Sequence, residues 1–203
     1  MRQTQTVLFI DRAVYRVAME LSYSVLWLKF WYAITWLGSS RVMYTAFIVV
    51  VFFIFRFHFC LKSVLFAVLA YGLCNSNALL KAVFALERPV GLASFYPESS
   101  SYTFPSGHAF GSVLLFFLIP RLLWLIKAGD SQRPGRAFIF SPPFMLTGVL
   151  LVSLSRVFLG VHWFSDIVGG MLWGAVVSLC VLWLYRWMVW MEKSGEGVRM
   201  SRW

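Results

Sequence analysis

The chain has 203 residues, of which 60% are hydrophobic and 19% aromatic, and only 13% are charged. A soluble domain of this size carries about a quarter charged residues, so the composition excludes a soluble globular fold and indicates a polytopic membrane protein. The net charge of +10 raises nucleic acid as a partner, but the cations are scattered between apolar runs and no nucleic-acid-binding motif accompanies them, so none is expected.

In chain order, the apolar patch 7–10 is short and is followed at once by Asp11 and Arg12, which rules against a cleavable signal. Residues 7–19 instead predict an interfacial helix leading into the first span. Six spans follow at about 21–40, 43–56, 63–86, 106–126, 142–160 and 165–190, the second short as drawn. Each is close to the ~20 apolar residues that a membrane helix needs. The runs are continuous rather than alternating, which argues against a barrel. The expected fold is all-α: one membrane-embedded helix bundle over residues 1–203, with its core at about 21–190 and about six transmembrane helices.

With six spans, one side of the membrane holds Arg2, Arg12, Arg16, Arg56, Lys62, Arg121, Lys127, Arg133, Arg136, Arg186, Lys193, Arg199 and Arg202. The other side holds Arg41, Lys81, Arg88 and Arg156. The positive-inside rule makes the first side cytoplasmic, together with both termini. The expected location is a bacterial inner (cell) membrane. Lys29 would stand inside the first span, where a charge often marks a pathway unless it pairs internally. Cys60, Cys74 and Cys180 form an odd set without metal-ligand spacing and read as small buried hydrophobes, with Cys60 a weak candidate for palmitoylation.

Three short segments stand out against this apolar background. They are Lys81-(six residues)-Arg88-Pro89, Pro105-Ser106-Gly107-His108, and Ser155-Arg156-(five residues)-His162-(three residues)-Asp166. Lys81 and Arg88 are seven apart, so on a helix they share one face, which Cys74 and Asn77 continue inward. Pro105 suits a first helical turn, where free backbone N–H groups attract anions. Gly107 admits close approach of the backbone, Ser106 adds a hydroxyl, and His108 follows in the same turn. Gly160 breaks the fifth span, and His162 and Asp166 are four apart, so their side chains can meet on a nascent helix. A carboxylate on one imidazole nitrogen fixes the tautomer and raises the basicity of the other.

Each segment alone has a plainer explanation. The two cations could snorkel at a span end, His108 could be structural, and His162 with Asp166 could be a simple helix-start pair. Together they would need independent accidents to gather every charged group at one membrane face. The set suits phosphoryl transfer through a histidine nucleophile. A serine hydrolase is disfavoured because Ser106 lacks a Gly-x-Ser-x-Gly elbow. Two histidines with one plausible carboxylate make a poor ligand set, so no metal and no cofactor are expected.

These segments resemble the type-2 phosphatidic acid phosphatase superfamily, which includes lipid phosphate phosphatases, glucose-6-phosphatase and the soluble vanadium haloperoxidases. Its pattern is Lys-x6-Arg-Pro, Pro-Ser-Gly-His and Ser-Arg-x5-His-x3-Asp, and every specified residue is present here in order. The resemblance implies that His162 is the nucleophile, oriented by Asp166, and that His108 protonates the leaving oxygen and later activates water. It implies that Lys81, Arg88, Arg156, Ser106 and Gly107 hold the phosphoryl oxygens, without a metal. Several undecaprenyl-diphosphate phosphatases of the superfamily carry Asp where Gly107 stands, which tilts away from that subgroup. The expected substrate is a lipid phosphate or diphosphate in the outer leaflet, such as phosphatidic acid, phosphatidylglycerophosphate, undecaprenyl diphosphate or a lipid A phosphate. Transfer to a second lipid uses the same residues and stays open, and a non-catalytic lipid carrier is a third reading. Glu87 and Glu98 could tune head-group preference, and Trp163 reads as an interfacial anchor. Oligomeric state is not legible in the sequence.

Overall fold

The computed structural model describes residues 8–22, 24–58, 61–89, 102–128 and 141–200. Cys60, Glu98 and most of the loops at 90–104 and 127–143 lie outside the described residues. The elements in order are α1 (Phe9–Leu21), α2 (Val25–Trp36), α3 (Ser40–Phe57), α4 (Leu61–Phe84), α5 (Gly107–Val113), a π-helical turn (Leu114–Leu118), α6 (Ile119–Ala128), α7 (Pro142–Phe158) and α8 (Phe164–Met200). The regular elements among the described residues are all helices, without strands.

Local chemistry sets the helix boundaries. Ser39 caps α3 by accepting from the Val42 N–H at 3.5 Å, and Ser106 caps α5 by accepting from the Ala109 N–H at 3.5 Å. Proline opens α7, where its missing N–H costs nothing. Gly160, at φ 69°, adopts the left-handed conformation that ends α7 and turns the chain into α8. Two further glycines set the closest helix contact. A Cβ at Gly170 would lie 2.5 Å from the Ser106 carbonyl oxygen, and one at Gly174 would lie 2.9 Å from Val113 Cβ. Small residues four apart therefore let α8 lie directly against α5. The main core, including Val50, Ile54, Phe66, Leu118, Leu122, Val181 and Met188, forms between α3, α4, α5–α6 and α8. Phe52, Val68, Leu79, Leu172, Leu179 and Trp183 point outward and remain exposed, as lipid-facing side chains do.

Four helical runs among the described residues are long and apolar enough to cross a membrane: Val25–Phe57, Leu61–Phe84, Gly107–Ile126 and Phe164–Glu192. The apolar helix Pro142–Phe158 is shorter. The two spans expected at 21–40 and 43–56 are one run, broken only at Leu37–Ser39. Its contacts progress in one direction. Trp31 stacks on Phe158, Thr35 meets Arg156, Gly38 meets Val152, and Met43 then meets Gly111. The reason lies in Gly38, where a Cβ would stand 2.7 Å from Val152 Cγ1. That glycine serves close packing against α7, whereas in the sequence Gly38-Ser39-Ser40 reads as a turn between spans.

One consequence concerns α1. It packs at the end of the bundle where α7 turns into α8, with Ser22 Oγ 3.1 Å from the Phe158 carbonyl oxygen and Tyr15 against Trp163 at 5.4 Å. Arg12 and Arg16, expected at the opposite end from the three motifs, lie on this helix at the same end. Lys29 is exposed one turn into α2, near that end rather than deep in a span.

Candidate functional site

Lys81 is in the last turn of α4. The expected helical stripe from Lys81 to Arg88 does not form, because α4 stops at Phe84 and Ala85 takes φ 49°. Pro89 in addition keeps Arg88 itself out of the helical region. Arg88 therefore reaches the site from an extended segment. Its Nη1 donates to the Val161 carbonyl at 2.9 Å and lies 3.3 Å from His162 Nε2, while Nη2 donates to the Tyr102 carbonyl at 3.4 Å. Lys81 Nζ donates to the Tyr102 and Thr103 carbonyls at 2.5 and 3.2 Å. Both cations thus hold down the strand of chain that leads into Pro105.

His162 sits in the turn after α7, 2% exposed, where its N–H and that of Val161 donate to the Arg156 carbonyl at 3.3 and 3.1 Å. Its Nδ1 is 3.0 Å from Thr103 Oγ1 and 3.3 Å from Asp166 Oδ2. Thr103 Oγ1 in turn donates to Asp166 Oδ2. A hydroxyl has one proton to give, so with that proton on Asp166 it accepts from His162 Nδ1–H. The tautomer then leaves the lone pair on Nε2, which faces Arg88. Burial, reinforced by the charges of Arg156, Arg88 and Lys81, holds the His162 imidazole well below its ordinary pKa. Both effects favour the neutral imidazole over the cation.

Asp166 is fully buried in the first turn of α8, and its Oδ2 also accepts from the Trp163 N–H at 2.8 Å. Its carbonyl accepts from the Ser106 N–H at 3.0 Å, which joins the start of α8 to the start of α5. Arg156 is buried in the last turn of α7 and donates from Nη1 to Thr35 Oγ1 at 2.8 Å. His108 lies in the first turn of α5, beside Gly38 of the α2–α3 break. At Gly107 an added Cβ would meet only Asn77 Nδ2, at 3.6 Å, so protein packing does not demand glycine there.

Lys81, Arg88, Gly107, His108, Arg156 and His162 line one cavity of about 420 Å³. Ser106 and Asp166 stand behind it, fully buried, as supports. Below the cations the cavity passes Asn77, Asn75 and Tyr44 and continues between Val50, Ile54, Phe66, Leu118 and Leu122. Its upper end offers positive charge and imidazole, and its depth is apolar. Among the described residues no group of three or more His, Cys, Asp or Glu could hold a metal ion.

Three supporting residues were not singled out from the sequence as parts of this site. Thr103 joins His162 to Asp166 from a segment that reads as irregular loop, and Thr35 holds Arg156 from another span. Asp11, 2% exposed, accepts from the Ser165 N–H at 2.7 Å and from its hydroxyl at 2.8 Å. It thereby caps α8 one residue before Asp166. Trp163 packs on Tyr15 of α1. The nearest sequence signal for Thr103 is its place two residues before Pro105; Asp11 and Thr35 carry none.

The family profile of the PAP2 superfamily matches residues 60–191, more than half of the chain. The chain belongs to the PAP2 superfamily. An undecaprenyl-diphosphatase of Sulfolobus acidocaldarius is 31% identical over 86 residues, covering 40% of this chain and 33% of that protein. Phosphatidylglycerophosphatase B of Bacillus subtilis is 32% identical over 91 residues, covering 41% of this chain and 39% of that protein. These matches span well under half the length of either relative. The crystal structure of a transmembrane PAP2-type phosphatidylglycerolphosphate phosphatase from Bacillus subtilis superposes with a TM-score of 0.68 at 23% identity, over 87% of this chain and 84% of that one. Aquifex aeolicus LpxE superposes with a TM-score of 0.56 at 18% identity, over 87% of this chain and 99% of that one. The helical bundle is therefore a PAP2 fold, shared with a transmembrane PAP2-type phosphatase of known structure.

Proposed function

We propose that this PAP2 protein is a metal-independent phosphatase that hydrolyses a lipid phosphate or diphosphate through a phosphohistidine on His162. The observation that carries this reading is the single cavity, which joins three cations and two imidazoles to an apolar depth. A phosphate at its upper end leaves the hydrocarbon of the same molecule in the depth. The named activities of the relatives, on undecaprenyl diphosphate and phosphatidylglycerophosphate, are lipid phosphate chemistry and agree with it.

His162 Nε2 attacks phosphorus as the bond to the leaving oxygen breaks. Thr103 and Asp166 stabilise the proton and the growing positive charge at Nδ1. Lys81, Arg88 and Arg156, with the Gly107 N–H, bind the phosphoryl oxygens as charge spreads over them, and Ser106 holds the start of α5 in place behind them. His108 gives a proton to the leaving oxygen, then takes one from the water that cleaves the N–P bond and releases phosphate.

The site end faces away from the cytoplasm in this proposal. The opposite end carries Arg56, Lys62, Arg121, Lys127 and Arg186. Outside the motifs, the site end carries Arg12, Arg16, Lys29 and Arg41. The positive-inside rule assigns the richer end to the cytoplasm. Because α1 belongs to the site end, the amino-terminal helix lies on the outer face and the end of α8 on the inner one.

The test is phosphate release by purified protein from phosphatidic acid, phosphatidylglycerophosphate, undecaprenyl diphosphate and lipid A, in EDTA. Release that His162→Ala abolishes is the expected result. Release that requires a divalent cation, or that survives the substitution, overturns the mechanism.

A further inference from the structure

We propose that Asp11 is a positioning residue for phosphoryl transfer: from α1 it holds the first turn of α8, and through that turn the carboxylate behind His162. The proposal rests on the phosphatase reading. Asp11 is 2% exposed, although its neighbours Ile10 and Arg12 are exposed. Its Oδ1 accepts from the Ser165 N–H at 2.7 Å and its Oδ2 from the Ser165 hydroxyl at 2.8 Å. A carboxyl group buried this deeply is costly unless its oxygens are answered, and here one residue answers both.

The reason for this contact lies in the sequence at the start of α8. A helix leaves its first N–H groups without partners of its own, and a polar side chain just before it usually takes one of them. The residue before Phe164 is Trp163, whose indole offers no acceptor. Asp11 supplies that acceptor from α1, at the second helical residue, and a carboxylate suits this end of the helix dipole. The next residue is Asp166, whose Oδ2 lies 3.3 Å from His162 Nδ1 and whose carbonyl accepts the Ser106 N–H at 3.0 Å. A first turn held less firmly therefore shifts the carboxylate behind the nucleophile, and with it the start of α5 that carries His108. Val14, Ala18 and Met19 seat α1 in an apolar cluster with Val157 and Ile167, so the helix stays docked without the Asp11 side chain. The three cations stand on α4, the segment after it and α7, not on the turn that Asp11 holds. Loss of Asp11 should therefore act on the chemical step rather than on phosphate binding.

The experiment measures kcat, KM and thermal unfolding for wild type, Asp11→Ala, Asp11→Asn and Ser165→Ala, on whichever of the four lipids wild type hydrolyses fastest. Asp11→Ala should lower kcat roughly tenfold with little change in KM, since a misplacement of about 1 Å can cost up to about a hundredfold. Asp11→Asn keeps an acceptor for the Ser165 N–H and an amide that can donate to its hydroxyl, so it should recover most of that loss. Ser165→Ala removes one of the two bonds and should lower kcat by about threefold, the scale of a single modest hydrogen bond. A lower unfolding midpoint with kcat per folded molecule unchanged would make the contact merely structural and overturn the proposal. A fall carried by KM, or an Asp11→Asn as slow as Asp11→Ala, would overturn it as well. If Asp11→Ala does not fold, Ser165→Ala decides, and an unchanged kcat there overturns the proposal. No phosphate release from any lipid by wild type would instead remove the phosphatase reading, and this proposal with it.

Discussion

Two histidines of this protein face a carboxylate, one at each end of the bundle. His162 meets Asp166 at 3.3 Å and His58 meets Glu192 at 3.1 Å. Each also has a hydroxyl neighbour, Thr103 for the first and Tyr185, at 3.4 Å, for the second. The difference is on the far side of the ring. Tyr185 occupies the second nitrogen of His58, so that side chain is used up in fastening the end of α3 to α8. His162 has its carboxylate and its hydroxyl on the same nitrogen, and Nε2 is turned toward a cavity with three cations. A histidine–carboxylate pair is therefore not a site by itself. What separates the two is what meets the second nitrogen: the Tyr185 hydroxyl at 3.4 Å for His58, and the Arg88 guanidinium at 3.3 Å, on the wall of the cavity, for His162.

The cations supply the sharpest break in that comparison. Arg156→Gln removes a charge that would bind the phosphoryl oxygens, and turnover should fall about a hundredfold, the scale of one lost stabilising donor. The same substitution should move the acid limb of kcat/KM. In wild type, burial, Arg156, Arg88 and Lys81 keep His162 neutral well below the ordinary imidazole pKa, so activity should persist into the acid range. With Arg156 gone, protonation of His162 becomes easier, and the limb should shift toward higher pH. A pH profile of both proteins on one substrate measures this, because the titration of the phosphate itself is common to the two. An unmoved limb would mean that Arg156 does not act on His162 through charge.

Thr103→Val addresses the proton rather than the charge. The hydroxyl that accepts from Nδ1 and donates to Asp166 disappears, while the residues that would grip the phosphate remain. The expected result is a kcat lower by about tenfold with little change in KM, the scale of one hydrogen bond. A fall carried by KM instead would assign Thr103 to substrate binding.

The three motifs were legible because their chemistry conflicts with their surroundings: few charged groups persist near apolar spans unless something holds them. Six of the eight expected site residues line one cavity and the other two back it. The fold class was legible from the continuous apolar runs. The number of runs was not, since Gly38 has the local signature of a turn while its structural role is contact with Val152. The course from Lys81 to Arg88 was misread for a related reason. Spacing of seven fits a helix, but Pro89 acts on Arg88, and its effect outweighs the periodicity. Asp11 and Thr35 could not be found at all, because their partners Ser165 and Arg156 are more than a hundred residues away. A contact of that separation leaves no trace in a single sequence.

His58→Gln gives the smallest expected effect and tests the other side of the comparison. The ring bridges Glu192 and Tyr185 at the end of the bundle remote from the cations, and it does not line the large cavity. Nearby, Lys62 Nζ donates to the Met191 carbonyl at 2.7 Å, a second tie between the start of α4 and α8. With that tie intact, loss of the imidazole should cost about 1 kcal/mol. For a chain of this length that corresponds to a drop of about 2–4 °C in the midpoint of thermal unfolding. Turnover and its pH profile should stay as in wild type, because the side-chain partners of His58 among the described residues, Glu192 and Tyr185, lie at the other end of the bundle from the cations. A changed pH profile would show that the two ends communicate, and His58 could then no longer be regarded as a fastening alone.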